Sequence, residues 1–186
     1  MSTTSGPPTD VGKPAITLDG FEILDAVHQR TLVALGELEA LVTHLQSHGP
    51  DAPARAIAAD LHRFFSTVAR RHHEDEERHI FPPLATHPDP EIVQAVLRLQ
   101  QDHNWLEEDW MELAPHLDAV ASGQTWYDID VLREGVEVFA ALSRDHVALE
   151  ESCIYPQARR QLDAETRVAM GREMAARRRA GRAKAG

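Results

Sequence analysis

The sequence predicts an all-α protein, an antiparallel up-down four-helix bundle with a short C-terminal helix, and three observations carry that prediction. Alanine, leucine, glutamate and arginine dominate, and Val, Ile and Tyr never gather into alternating runs, which favours helix over strand throughout. Four long amphipathic segments are divided by three clusters of turn residues, as the corners of a bundle require. The chain also repeats itself internally, so that like residues fall at like heights. With 186 residues and 42% hydrophobic content, it can bury one core and is expected to form one domain.

Residues 1–16, rich in Pro, Ser and Thr, are expected to form a disordered arm. They contain no basic segment followed by an apolar stretch, so no signal peptide is expected. The bundle is expected over 17–162, with helices near 19–46, 53–85, 90–120 and 129–160. The corners are SHGPDAP at 47–53, THPDP at 86–90 and ASGQTWYD at 121–128. Asp51, Asp89 and Asp128 suit N-cap positions, and Pro90 suits a first helical position, where its missing N–H costs nothing. Pro82, Pro83, Pro115 and Pro156 should kink or end helical turns locally. Residues 163–186 are expected as a short outer helix followed by a basic, solubilising tail with Arg177, Arg178, Arg179, Arg182 and Lys184.

Charge and cysteine content narrow the function. Formal net charge is −11, although the last fifteen residues hold six basic groups and one acid. The remainder is therefore more acidic than the whole, which argues against nucleic-acid binding. No apolar run approaches the roughly 18 residues a membrane span needs, so a soluble protein is expected. Cys153 is alone. That excludes an internal disulfide, a CxxC pair and a zinc ribbon, and it fits a reducing cytoplasm.

Alternating steps of three and four residues trace the inward face of each helix. The first helix gives Leu24, His28, Thr31, Leu35, Leu38, Val42 and Leu45. The second gives Leu61, Phe65, Ala69, His72, Glu76 and His79, and the third Ile92, Val96, Leu99, His103, Leu106, Trp110, Leu113, Leu117 and Val120. The fourth gives Leu132, Val136, Phe139, Ser143, His146, Glu150 and Cys153. Each stripe is apolar until it meets a histidine.

A shift of 74 residues lays Phe65, His72, Glu76, Glu77, Ile80 and Pro82 on Phe139, His146, Glu150, Glu151, Ile154 and Pro156. A shift of 75 lays Leu24 and His28 on Leu99 and His103. The repeat decides between two overlapping HxxxE spacings, because His73 falls on Val147 and only His72/Glu76 is duplicated. Depth agrees, since antiparallel helices bring together residues equally far from their turn. The midpoints of His28 and His72, of His72 and His103, and of His103 and His146 all fall in the predicted corners, so the four histidines share one height. Four imidazoles and two carboxylates buried together would each cost several kcal/mol to desolvate without positive charge among them. Metal cations supply it. Imidazole and carboxylate without thiolate suit iron or manganese, and two bridging carboxylates imply two ions.

His28, then His72-x-x-x-Glu76-Glu with a trailing Ile-Phe-Pro, then His103, then His146-x-x-x-Glu150-Glu with a trailing Ile-Tyr-Pro, resembles the hemerythrin-like, HHE cation-binding domains over residues about 20–160. The resemblance implies an antiparallel bundle around two iron ions joined by both carboxylates and an oxo or hydroxo bridge, with oxygen, peroxide or nitric oxide as small-molecule ligands. One departure lies in the third helix, where oxygen-carrying hemerythrins have an HxxxH pair and this chain has His103 followed by Glu107. Glu107 is either a seventh ligand or a seam residue, its counterpart in the other half being Leu32. The departure argues for an open coordination position and against reversible oxygen carriage. Ferritin-like Glu-x-x-His pairs are disfavoured, because neither Glu76/His79 nor Asp25/His28 is duplicated. The remaining histidines, His44, His48, His62, His73, His87 and His116, are assigned to solvent or turns. Trp105, Trp110, Trp126 and Tyr127 are expected to seal the third helix and the turn after it. The favoured function is binding or sensing of oxygen, peroxide or nitric oxide; an oxygen-activating or peroxide-consuming enzyme is the alternative, and iron storage or repair of iron centres the third.

Overall fold

The computed structural model describes residues 19–183; the expected N-terminal arm and Lys184 lie outside them. The chain is all-helical, with no strand among the described residues. Its elements are α1 (Gly20–His48), α2 (Ala52–Arg63), a π-helical segment (Phe64–Ala69), α3 (Arg70–His79), α4 (Phe81–Leu84), α5 (Pro90–Ala121), α6 (Ile129–Leu149), a second π-helical segment (Glu150–Ile154), α7 (Tyr155–Gln161) and α8 (Ala164–Ala183).

Helix starts follow the acidic caps. Asp51, Asp89 and Asp128 each accept from a backbone N–H of the first turn, and Asp19 with Glu22 completes a reciprocal capping box. Each cap satisfies donors that the helix leaves open. Gly49 and Gly123 close α1 and follow α5 with φ of 70°, a conformation that disfavours side chains with a Cβ.

The two π segments interrupt the repeat. A π turn holds an extra residue and frees a backbone carbonyl from the regular ladder. Hydroxyls capture carbonyls beside both: Thr67 donates to the Arg63 carbonyl at 2.6 Å and Ser152 to the Ala148 carbonyl at 2.6 Å. The segments do not correspond under the 74-residue shift. Pro82 and Pro83 follow a break at Ile80, whereas the lone Pro156 follows a widened turn. Consecutive prolines remove two ladder donors; one proline removes one. α5 passes through Pro115 unbroken.

α1 packs on α2 and α6, and α5 packs on the same two helices. Every residue of the α1 and α5 stripes is buried. A belt of buried polar residues divides the core into two apolar clusters. One holds Leu35, Leu38, Leu61, Phe65, Trp110, Leu117, Leu132 and Phe139. The other holds Phe21, Leu24, Ile80, Phe81, Leu99, Ile154, Tyr155, Met170 and Met174.

α8 corrects the expectation of a short outer helix with a loose tail. It spans 20 residues, and Met170 and Met174, four residues apart on one face, are buried in the second cluster. Met170 closes on Gly20, where even a Cβ would collide with its thioether. Arg177 and Arg178 both donate to Asp75, a carboxylate of α3 that is 1% exposed. Glu173 accepts from Arg177 and bonds His79 at 2.9 Å, and the Arg177 hydrogen bond, against a small burial penalty and with help from His79, lowers its carboxyl to about 2. The basic residues read as a solubilising end thus tie α8 to the helix that carries His72 and Glu76.

Candidate metal centre

His28, His72, His103 and His146 meet Glu76 and Glu150 in the polar belt, all six side chains buried. They form two nests. His28, His72, Glu76 and Glu150 make one; His103, His146 and the same two glutamates make the other, each with its ligand atoms within 4.8 Å of one another. The carboxylates divide their oxygens between the nests. Glu76 Oε1 lies 3.3 Å from His72 Nε2, and its Oε2 lies 3.5 Å from His103 Nε2. Glu150 Oε2 lies 3.1 Å from His28 Nε2, and its Oε1 lies 3.2 Å from His146 Nε2.

A second ring of carboxylates orients the imidazoles. His28 Nδ1 donates to Glu151 at 3.1 Å and His103 Nδ1 to Glu77 at 3.0 Å. Since Glu77 and Glu151 are equivalent in the repeat, each half of the chain orients the other half's unpaired histidine. Such bonds fix the tautomer and turn Nε2 inward. Asp102, also buried, lies 3.8 Å from His146 Nδ1. Its counterpart in the repeat is Val27, and neither His146 Nδ1 nor His72 Nδ1 has a hydrogen-bond partner.

Two neighbours of the nests carry no duplicated signal. The Tyr155 hydroxyl donates to Glu76 Oε1 at 2.5 Å and lies 3.2 Å from His28 Nε2, and its ring stacks on His28 at 5.0 Å. Phe81 occupies the equivalent place against His103, with a centroid separation of 5.4 Å, and has no hydroxyl. The other neighbour is His73, which the repeat relegates to solvent. It is half-buried, stacks on His103 with centroids 4.1 Å apart, and brings a ring nitrogen within 4.8 Å of those of His103 and His146. Its position three residues before Glu76 puts both on one helix face, a signal that alignment to Val147 overrode. Glu107, by contrast, is half-exposed and paired with Arg70 at 2.9 Å.

Electrostatics show what the belt lacks. Burial opposes charge on His28 and His146, but Glu150 and its neighbouring carboxylates outweigh it and hold both imidazoles protonated, with pKa raised to about 10. Burial, only partly offset by Glu76, lowers His72 to about 3. Burial and the adjacent His103 press His73 well below its ordinary value. Burial would raise Glu76, yet the surrounding imidazoles, His72 foremost, keep it well below the usual carboxylate range. Without metal, protons on histidines are the compensating charge.

The donors fit cations. Glu76 Oε2, both oxygens of Glu150, His103 Nε2 and His146 Nε2 are buried without a hydrogen-bond partner, and each orphaned polar atom costs about 1–3 kcal/mol. All five face the two nests. Imidazole and carboxylate, with no thiolate among them, suit iron, manganese and related transition metals.

The chain matches the hemerythrin HHE cation-binding domain over residues 19–158. It is also 30% identical to a protein of Haemophilus influenzae, described as uncharacterized, over 158 residues that make up 85% of this chain and 89% of that one. Matched over most of its length, the chain belongs to the hemerythrin HHE cation-binding domain family.

Proposed function

We propose that the chain holds two iron ions, one in each nest, and binds or senses oxygen, peroxide or nitric oxide there. The observation that carries this reading is the sharing of the carboxylates: Glu76 and Glu150 each direct one oxygen to His28 or His72 and the other to His103 or His146. A single ion would use only half of those atoms. In this reading His28 and His72 hold one ion, and His103, His146 and His73 hold the other; manganese is the alternative metal. Glu107 is committed to Arg70, so His73 is the better third imidazole. Two iron ions joined by carboxylates supply reversible electron exchange with a small oxidising ligand.

The chain's own groups prepare the site. Glu151 and Glu77 hold the rings of His28 and His103 in orientation. Tyr155 keeps a proton on its oxygen beside Glu76, because burial and the nearby carboxylates push the phenol well above its ordinary pKa. Phe65, Leu106, Trp110 and Phe139 give the cleft that reaches the belt an apolar wall.

The fold supports the same reading. We take α1, α2 to α4, α5 and α6 to α7 as an antiparallel up-down bundle, with the domain ending near residue 162 and α8 as an added brace. No described helix is long and apolar enough to cross a membrane. A cytoplasmic location and the absence of nucleic-acid partners remain part of the proposal, in keeping with the lone Cys153 and the acidic chain.

The enzymatic alternative, oxygen activation or peroxide breakdown, gains support from a cleft beside His73 that exceeds what a diatomic ligand needs. Metal analysis tests the primary reading, together with visible spectra recorded before and after anaerobic reduction and again on exposure to air or nitric oxide. Two irons per chain and a spectrum that responds to these ligands are expected. One tightly held zinc, with iron excluded, would overturn it.

A further inference from the structure

A cavity of about 880 Å³ opens on the belt, lined there by His28, His72, His73, His103 and His146. Its lining reaches along α5 from His103 to Asp118, about 22 Å at the helical rise per residue. A diatomic ligand occupies a small fraction of that space, whereas pockets of roughly 300–1,000 Å³ with apolar walls and few polar groups suit organic molecules. The larger share of the wall surface here is apolar, although imidazoles, carboxylates and hydroxyls also line it. Phe65, Trp110 and Phe139 meet one another with centroids 5.0, 5.2 and 5.7 Å apart, and Ala69 and Ala114 keep the space between α5 and the first π segment open. Trp110 donates its indole N–H to Ser66 at 3.0 Å, so the ring presents its face rather than its polar edge.

Charge narrows the occupant. Glu74, Glu77, Glu107 and Asp118 line the cavity, against one guanidinium, Arg70, that is already paired with Glu107. An anionic group in the outer part of the cleft would meet Glu74, Glu77, Glu107 and Asp118 with Arg70 already paired, and the imidazoles at the inner end already face Glu76 and Glu150. A neutral or cationic molecule would meet no such repulsion.

We propose that this cleft binds an elongated apolar organic molecule, neutral or cationic, with one end against His73 and the other toward Asp118. The proposal rests on the metal reading only for what lies at the inner end; the cleft exists without the ions. It supplies a substrate class for the enzymatic alternative.

N-phenyl-1-naphthylamine, a neutral elongated fluorophore, tests it by titration into the full chain with and without iron, with iron content measured on the same samples. Dodecylamine and dodecanoate serve as competitors of opposite charge. The expected result is saturable binding of one dye per chain, displaced at least tenfold more readily by the amine than by the carboxylate. Ala114→Phe, which fills the cleft away from the metal donors, should weaken dye binding at least tenfold while leaving helicity and iron content unchanged. Absence of saturable binding, preference for dodecanoate, or dye binding by a folded Ala114→Phe chain equal to that of the unmodified protein would each overturn the proposal. Low iron with normal dye binding would instead count against the metal reading alone, so the two failures are distinguishable.

Discussion

The two nests are built from the same repeat and differ at three places. On the His28 side, Tyr155 stacks on the imidazole and donates to Glu76; on the His103 side, Phe81 stacks without donating. On the His103 side, His73 adds an imidazole; its counterpart, Val147, adds only a hydrocarbon. Asp102 places a buried carboxylate 3.8 Å from His146 Nδ1, where the other half of the chain has Val27. Duplication thus provides the shared histidines and carboxylates. Single substitutions then give the His28 side a phenol donor and the His103 side an extra imidazole.

The largest effect should come from removing what both sides share. Glu150→Ala takes an oxygen from each nest, so iron content should fall to near zero. A chain that still held one iron would mean that the nests load independently.

Next comes the brace that supports only the α3 half. Asp75 is buried against Arg177 and Arg178, while its repeat counterpart is Leu149. Replacing both arginines by alanine leaves that carboxylate buried and unpaired, at a cost of about 3 kcal/mol. The thermal midpoint should drop by roughly 10 °C. Asp75→Asn in the same background should recover part of the loss, since the charge is what remains uncompensated.

A smaller, one-sided effect is expected from His73→Ala. The His103 side loses an imidazole and the His28 side loses nothing, so iron should fall from two per chain toward one, with helicity kept. Glu107→Ala should leave the metal content unchanged, because that side chain faces Arg70 and solvent. Equal losses in the two variants would remove the distinction drawn between them.

Tyr155→Phe should do least, since it makes the His28 side resemble the His103 side at this position. Both irons should remain, with stability lower by about 1 kcal/mol for the lost hydrogen bond and a shifted visible spectrum as Glu76 loses its donor.

Most of this site could be read from the sequence because the signals were periodic or duplicated. The α1 and α5 stripes, the caps at Asp51, Asp89 and Asp128, and the common height of His28, His72, His103 and His146 all follow from helical geometry. What escaped lacks a period. The π turns at Phe64–Ala69 and Glu150–Ile154 each add a residue to a turn, which no regular step of three or four signals. His73 escaped because comparison of the two halves discards whatever only one half has. Asp75, Asp102 and Tyr155 escaped for the same reason, as each replaces an apolar or non-donating residue in the other half. The docking of α8 was masked by composition: two buried methionines stand among arginines whose charges signalled solvent, although Asp75 and Glu173 neutralise them.

The central claim is that two ions share both carboxylates in unequal surroundings. Mössbauer spectroscopy of protein loaded with enriched iron tests it most directly, with iron counted on the same sample. The account predicts two irons per chain, magnetically coupled, giving two distinct quadrupole doublets of equal area that reflect the nest with His73 and the nest with Tyr155. A single uncoupled iron per chain, or two irons that remain magnetically independent, would contradict it.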